Sequence, residues 1–485
     1  MLLMEAIRNK RIIRGTIWKA IEVVFQKGSS LIIQIIMARL LAPEYFGVVG
    51  IAIIFVNFAD IFVNNGLNIA IVRKEKLEEN DIATALIMAV GTVGIIYVVF
   101  FVLAPIIADI YNEPSLISVI RVLLLAIFPK SIGAIIKARA NRNLEMKKIS
   151  LCSIVSNICG GVIGIILVLM GARVWALVFQ HILVAIIECV LLLIAFKWCN
   201  AIKFSIDSFK SLSSFCRNSV LAGLVEFCGT NCSTVIVGSV YNITDIGYLR
   251  KGASIPEAIG GAVANTSSAI ILPVLSTKQN DDRALYSAYR RTIYMSLVVL
   301  FPCMVCIAAV AKEFVTLFLT EKWLPIVSII RWFAIIYGIN IIRTIDVTML
   351  YARGKSKIVF IAELFRSTVS IITNLALVIW FNVSFDEYVI YSSAITIGTI
   401  LIFHFFVEYN TSGKISELSI PVFKIGGICA FAYGVVGTLD SVVESCFMLL
   451  IIKGCLFIGM YIVVLLLFEK SIRQEIILKF GRKKI

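Results

Sequence analysis

Charge is scarce in this chain. Of 485 residues, 15% are Asp, Glu, Lys or Arg, and 60% are hydrophobic. So few charges cannot cover the surface of a soluble protein of this size, which leaves a polytopic membrane protein. The mean hydropathy of +0.98 agrees. Histidine is scarcer still: His181 and His404 are the two, each alone in an apolar run. That excludes a His-based metal site and a Ser-His-Asp triad. No G-x-x-x-x-G-K-[ST] sequence occurs, so there is no ATP-cradling loop. Long polar stretches are also missing. Lys197–Lys210 and Ser276–Arg283 are too small to fold alone, and the outer loops are short. Neither an enzyme constellation nor a cofactor is expected. Met1–Lys10 is polar, with no small-residue cleavage site after a short apolar core, so no cleavable signal is expected.

What is present is apolar run after apolar run. About fourteen are long enough to cross the roughly 30 Å hydrocarbon core, from 12–36 to 446–468. Basic residues exceed acidic ones by 45 to 30. They sit in short loops between the runs, which is a signature of membrane orientation and not of a nucleic-acid face. With the N-terminus in the cytoplasm, Arg39, Arg173, Lys312 and Lys322 fall outside, against roughly thirty basic residues inside. An even helix count with both termini cytoplasmic follows. Twelve cysteines are scattered through the chain, and Cys303-x-x-Cys306 lies in an apolar helix without partners, so packing is their expected role.

The chain repeats internally. Leu116-Ile-Ser118-Val-Ile-Arg121 returns as Ile326-Val-Ser328-Ile-Ile-Arg331, and Glu44-Tyr-Phe-Gly47 has an echo in Asp245-Ile-Gly247. The spacing of about 200–210 residues is six helices, so two like-oriented halves are expected, with a substrate site between them. The fold class is therefore an all-α polytopic membrane protein. Residues 1–196 form an N-terminal six-helix bundle, 197–211 a cytoplasmic linker and 212–407 a C-terminal six-helix bundle. Residues 408–485 add two peripheral helices and a basic cytoplasmic tail.

The opening hairpin carries a more specific signal. Arg39-Leu-Leu-x-Pro43-x-x-Phe46-Gly47 is followed by Asp60 on the second helix and then by Gly66-Leu67-x-x-Ala70-Ile71-Val72-Arg73. Over these fifty or so residues the chain resembles the polysaccharide transporters, the Wzx-type lipid-linked oligosaccharide flippases. Their superfamily is the multidrug/oligosaccharidyl-lipid/polysaccharide (MOP) one, which also holds the MATE transporters. The resemblance implies a flippase of the bacterial inner membrane. Its substrate would be a polyprenyl-diphosphate-linked oligosaccharide for O-antigen (lipopolysaccharide), capsule or exopolysaccharide synthesis, with a polysaccharide polymerase as a partner. The alternative is a MOP-superfamily drug or cation exporter, and a sugar-polymer enzyme ranks third.

Ions inside the apolar runs are the candidates for function, because each costs about 2.5–3.5 kcal/mol at a helix centre. Lys19 and Lys27 lie two turns apart on one face of helix 1. Arg250 and Lys251 occupy the matching part of helix 8. In the resembling family helices 1, 2, 7 and 8 line the cavity, which implies that these four cations bind substrate there. Arg forks and Lys ammonium groups suit a diphosphate. Glu22 and Asp60 are candidates for ion coupling, although Glu22 is also spaced to pair with Lys19. Arg343 with Asp346, and Glu363 with Arg366, are expected structural pairs at i,i+3. Lys130 and Lys453 are expected to snorkel from helix ends.

Overall fold

The structure is a computed structural model. It describes residues 22, 25–68, 70–71, 77–143, 145–197, 204–276, 282–353, 355–412, 416–441 and 445–468. Lys19 and the basic tail lie outside the described residues. Among those described there is no strand. The helices are α1 (25–40), α2 (Pro43–Asn68), α3 (Glu79–Ile110), α4 (Ser115–Arg142), α5 (Met146–Leu169), α6 (Val174–Ala195) and α7 (Ile206–Val240). They continue as α8 (Ile243–Ser276), α9 (Asp282–Ala309), α10 (Ile326–Ala352), α11 (Ser356–Ile379), α12 (Phe385–Ser412), α13 (Ser416–Gly437) and α14 (Cys446–Phe468). Each apolar run of the sequence falls, over its described residues, on one of them. Among the described residues ten helices are long and apolar enough to cross a membrane, and an eleventh counts if the two parts of α7, bent by 44°, form one span. The chain is a multi-pass membrane protein.

Local chemistry sets the boundaries. Pro43 begins α2, where a missing N–H costs nothing. From Ile61 to Asn68 α2 loosens into a π-helical turn beside Asp60. α3 starts on a reciprocal cap, with the Glu78 N–H donating to Asp81 Oδ2 at 2.9 Å. Buried Asp81 also accepts from the Ser208 hydroxyl at 2.6 Å, and the Ser205 N–H donates to Thr84 Oγ1 at 3.0 Å. These bonds tie the start of α7 to α3. The expected linker 197–211 is therefore helical from Ile206.

By its internal contacts the chain forms two compact units. One runs to Lys251 and includes Glu363–Tyr388; the other is Gly252–Ala362 with Val389 onward. The borders fall inside α8, α11 and α12. The first unit buries Met37, Ile51, Ile71, Leu116 and Ile120 completely. In the second, α9 and α10 pack with α13 and α14 around Tyr289, Met304, Ile342 and Phe457. The last two helices thus each pack one face on this core. The repeated motif is buried alike at both places: Leu116, Val119 and Ile120 match Ile326, Ile329 and Ile330, each at most 1% exposed.

Candidate functional site

In the first unit α8 meets both α1 and α2. Gly247, Arg250 and Lys251 share one face of α8, being spaced i, i+3 and i+4. α2 and α8 cross backbone to backbone. A Cβ on Gly47 would overlap the Ile243 carbonyl oxygen, and one on Gly247 would overlap the Pro43 carbonyl oxygen. One turn further on, the Arg250 stem lies over Gly50, where a Cβ would stand 3.2 Å from Arg250 Cγ. Arg250 is half-buried.

Lys251 is buried. Its Nζ donates to the Gln34 backbone oxygen at 2.8 Å and to Gln34 Oε1 at 3.2 Å, and lies 5.1 Å from the centre of the Phe46 ring. Lys27 precedes Gln34 by seven residues, hence the same face of α1 about 10 Å along the axis. It is exposed. So the structure brings Lys251 onto α1 and Arg250 onto α2, and places Lys27 two turns from the Lys251 contact.

The acidic candidates of the first unit have partners. Ser150 on α5 donates to the buried Glu22 carboxylate at 2.7 Å. Asp60 faces Lys130 of α4 at 3.7 Å, a loose ion pair with both side chains about one-third exposed. Lys130 therefore engages an ion instead of snorkelling. Glu188, near them, takes bonds from Lys137 at 2.7 Å and Ser153 at 2.5 Å. Glu363 and Arg366 form the expected pair at 2.8 Å.

The second unit departs further from expectation. Arg343 Nε donates to Asn340 Oδ1 at 2.9 Å, while Asp346 holds the Tyr289 hydroxyl and the His404 ring. His404 is therefore not alone. Lys453 is 2% exposed and pairs with buried Glu313 instead of snorkelling. Sequence spacing missed both contacts because their partners lie 58 and 140 residues apart. The one signal available was the rule that a charge inside an apolar helix has a partner. Among the described residues no group of His, Cys, Asp and Glu is arranged to hold a metal.

The helical fold is similar to that of solved membrane transporters, among them a multidrug resistance MATE family transporter of the MOP superfamily in an inward-facing conformation, with a TM-score of 0.63 at 13% identity over 81% of this chain and 95% of that one. The chain matches a solved lipid II flippase MurJ in an inward closed conformation with a TM-score of 0.74 at 15% identity, covering 95% of this chain and 99% of that one. The family model described as "Polysaccharide biosynthesis protein" matches residues 36–328, and the chain belongs to that family. Relatives include the lipopolysaccharide biosynthesis protein WzxC of Escherichia coli, 20% identical over 365 residues, or 74% of this chain and 73% of the relative. The succinoglycan biosynthesis transport protein ExoT of Rhizobium meliloti is 22% identical over 372 residues, again 74% and 73%.

Proposed function

We propose that this protein is a flippase. It carries a polyprenyl-diphosphate-linked oligosaccharide across the bacterial cytoplasmic membrane for assembly of a surface polysaccharide. Both termini are cytoplasmic in this reading, and a polysaccharide polymerase uses the product. The family match and the transport relative support the substrate class.

What supports the reading is the placing of Arg250 against α2 and of Lys251 against α1, two turns from Lys27. Arg250 reaches over the α2 backbone, and Lys251 is buried on the neighbouring position of α8, bonded to α1. Lys27 adds a third cation on the α1 face to which Lys251 is bonded. A diphosphate is the group that such a face holds, because ionic hydrogen bonds strengthen as water is excluded. Arg250 and Lys27 make direct contact, and Lys251 acts through its field because Gln34 already holds its ammonium. Lys19 is a fourth candidate for substrate binding. Repeats 1–196 and 212–407 rock to open the site to either side while the polyprenyl tail stays in the bilayer. Asp60 and Glu22 remain candidates for ion coupling in this reading.

The test is precursor sidedness in cells. Loss of the protein should leave lipid-linked oligosaccharide on the cytoplasmic face and remove surface polymer. Normal surface polymer in a deletion strain, with no second transporter of this family, overturns the reading.

A further inference from the structure

Four polar side chains meet inside the second unit. α12 presents His404 and, one turn on, Glu408 on the same face. α10 brings Asp346 and α9 brings Tyr289. None is more than 1% exposed. Tyr289 donates to Asp346 Oδ1 at 2.6 Å, and His404 Nδ1 stands 3.2 Å and 3.1 Å from the two carboxylate oxygens. An ionised carboxylate only accepts, so Nδ1 carries a hydrogen and the tautomer is fixed by its partner. The lone pair of the neutral ring is then on Nε2. That nitrogen is buried and has no hydrogen-bond partner among the described residues.

Stability does not require this arrangement. Apolar side chains of equal volume serve a core as well or better than a buried ion pair, and a partly satisfied network is costlier than either. What the arrangement provides is a basic nitrogen held in place by a carboxylate.

We propose that His404 and Asp346, oriented by Tyr289 and with Glu408 beside them, form a proton-binding site coupled to transport. The claim that the site is coupled to transport rests on the flippase reading; the claim that it binds a proton does not. A proton from water on one side adds to the Nε2 lone pair, and the Nδ1–H bond to Asp346 stays intact. The resulting imidazolium neutralises Asp346. On the other side Nε2 returns that proton to water, and nothing is oxidised or reduced. Glu408 lies one turn from His404 on the same face of α12 and is buried with it. Around the cluster stand Tyr286 and Arg290 on α9 and Arg343 on α10. Where α13 and α14 pack on α9, they bring Cys429, Tyr433 and Tyr461.

Two histidines make a direct test practical. The full-length chain, with labelled histidine and in liposomes, gives two imidazole signals, assigned by His181→Gln. The His404 signal should pass from one protonation state to the other over the pH range in which the protein stays folded, and Asp346→Asn should move its midpoint. A second arm loads the liposomes with a polyprenyl-diphosphate-linked oligosaccharide and applies a pH gradient. With one proton per lipid, the leaflet distribution should shift about tenfold per pH unit in the unaltered protein and in His181→Gln. It should stay even in His404→Gln and Asp346→Asn, although flipping continues. A His404 ring that holds one protonation state throughout overturns the proposal. So does a gradient response unchanged in His404→Gln. If His404→Gln does not fold, Asp346→Asn and the titration decide. A chain that moves no such lipid, yet titrates at His404 and takes up protons in a His404-dependent way, fails as that flippase while the proton site stands.

Discussion

Lys251 and Gln34 are joined twice, the ammonium of one donating to both the backbone and the side-chain oxygen of the other. The contact ties α8 to α1 at a buried point. It separates two residues that are neighbours in sequence: Arg250 extends over α2, and Lys251 is committed to α1.

Lys251→Met keeps the stem and deletes the donor. Two Gln34 acceptors lose their bond, which costs about 1–3 kcal/mol when such groups stay buried. The solubilised protein should show a lower unfolding temperature and reduced yield. An unchanged melting profile would mean that the ammonium does not hold α1.

Arg250→Ala should weaken transport. Removing a charge-assisted bond worth about 1.5–3 kcal/mol lowers affinity roughly 10- to 150-fold. Arg250→Lys should restore only part, since the fork is lost. Surface polymer and cytoplasmic-face precursor are the readouts. Full polymer in a Lys27→Ala, Arg250→Ala double variant at normal protein level would remove both residues from the binding role.

Lys453→Ala leaves Glu313 buried without its cation. Breaking one side of a buried pair costs about 3–5 kcal/mol, whereas replacing both partners by apolar side chains is nearly neutral. Lys453→Ala should therefore lose folded protein, and Lys453→Met with Glu313→Leu should recover it. Equal stability in the single and the double variants would contradict the pairing.

Orientation can be read with single cysteines on a cysteine-free background. Asn143→Cys, at the end of α4, should be shielded from an impermeant reagent in intact cells. Glu113→Cys, between α3 and α4, should react. The reverse pattern would invert the charge-based topology.

The helices were legible because apolar length is a one-dimensional property. The hairpin Arg39–Gly47 pointed to the family for a similar reason: its residues are contiguous. Contacts across helices were not legible. Arg343 and Asp346 have good i,i+3 spacing, yet Asp346 points to α9 and α12, whose partners lie far off in the chain. Lys453 reads as a lone cation near a helix end until the fold brings Glu313 beside it. Lys251 looks like a twin of Arg250, but one residue is a 100° turn around α8, and that rotation gives the two side chains different neighbours.

The meeting of Gly47 with Gly247 sets the register for all of this. Each backbone sits in the place that the other's missing side chain vacates, so sliding α8 by one residue along α2 would drive a side chain into a carbonyl. Such a contact contains no ion and no rotamer. Salt and acidity leave it alone, and so does the charge of whatever is carried. The positions of Arg250 and Lys251, three and four residues further along, are thus measured from a fixed mark that is chemically blind to the cargo. Changes that retune those cations for a different headgroup leave the mark where it is.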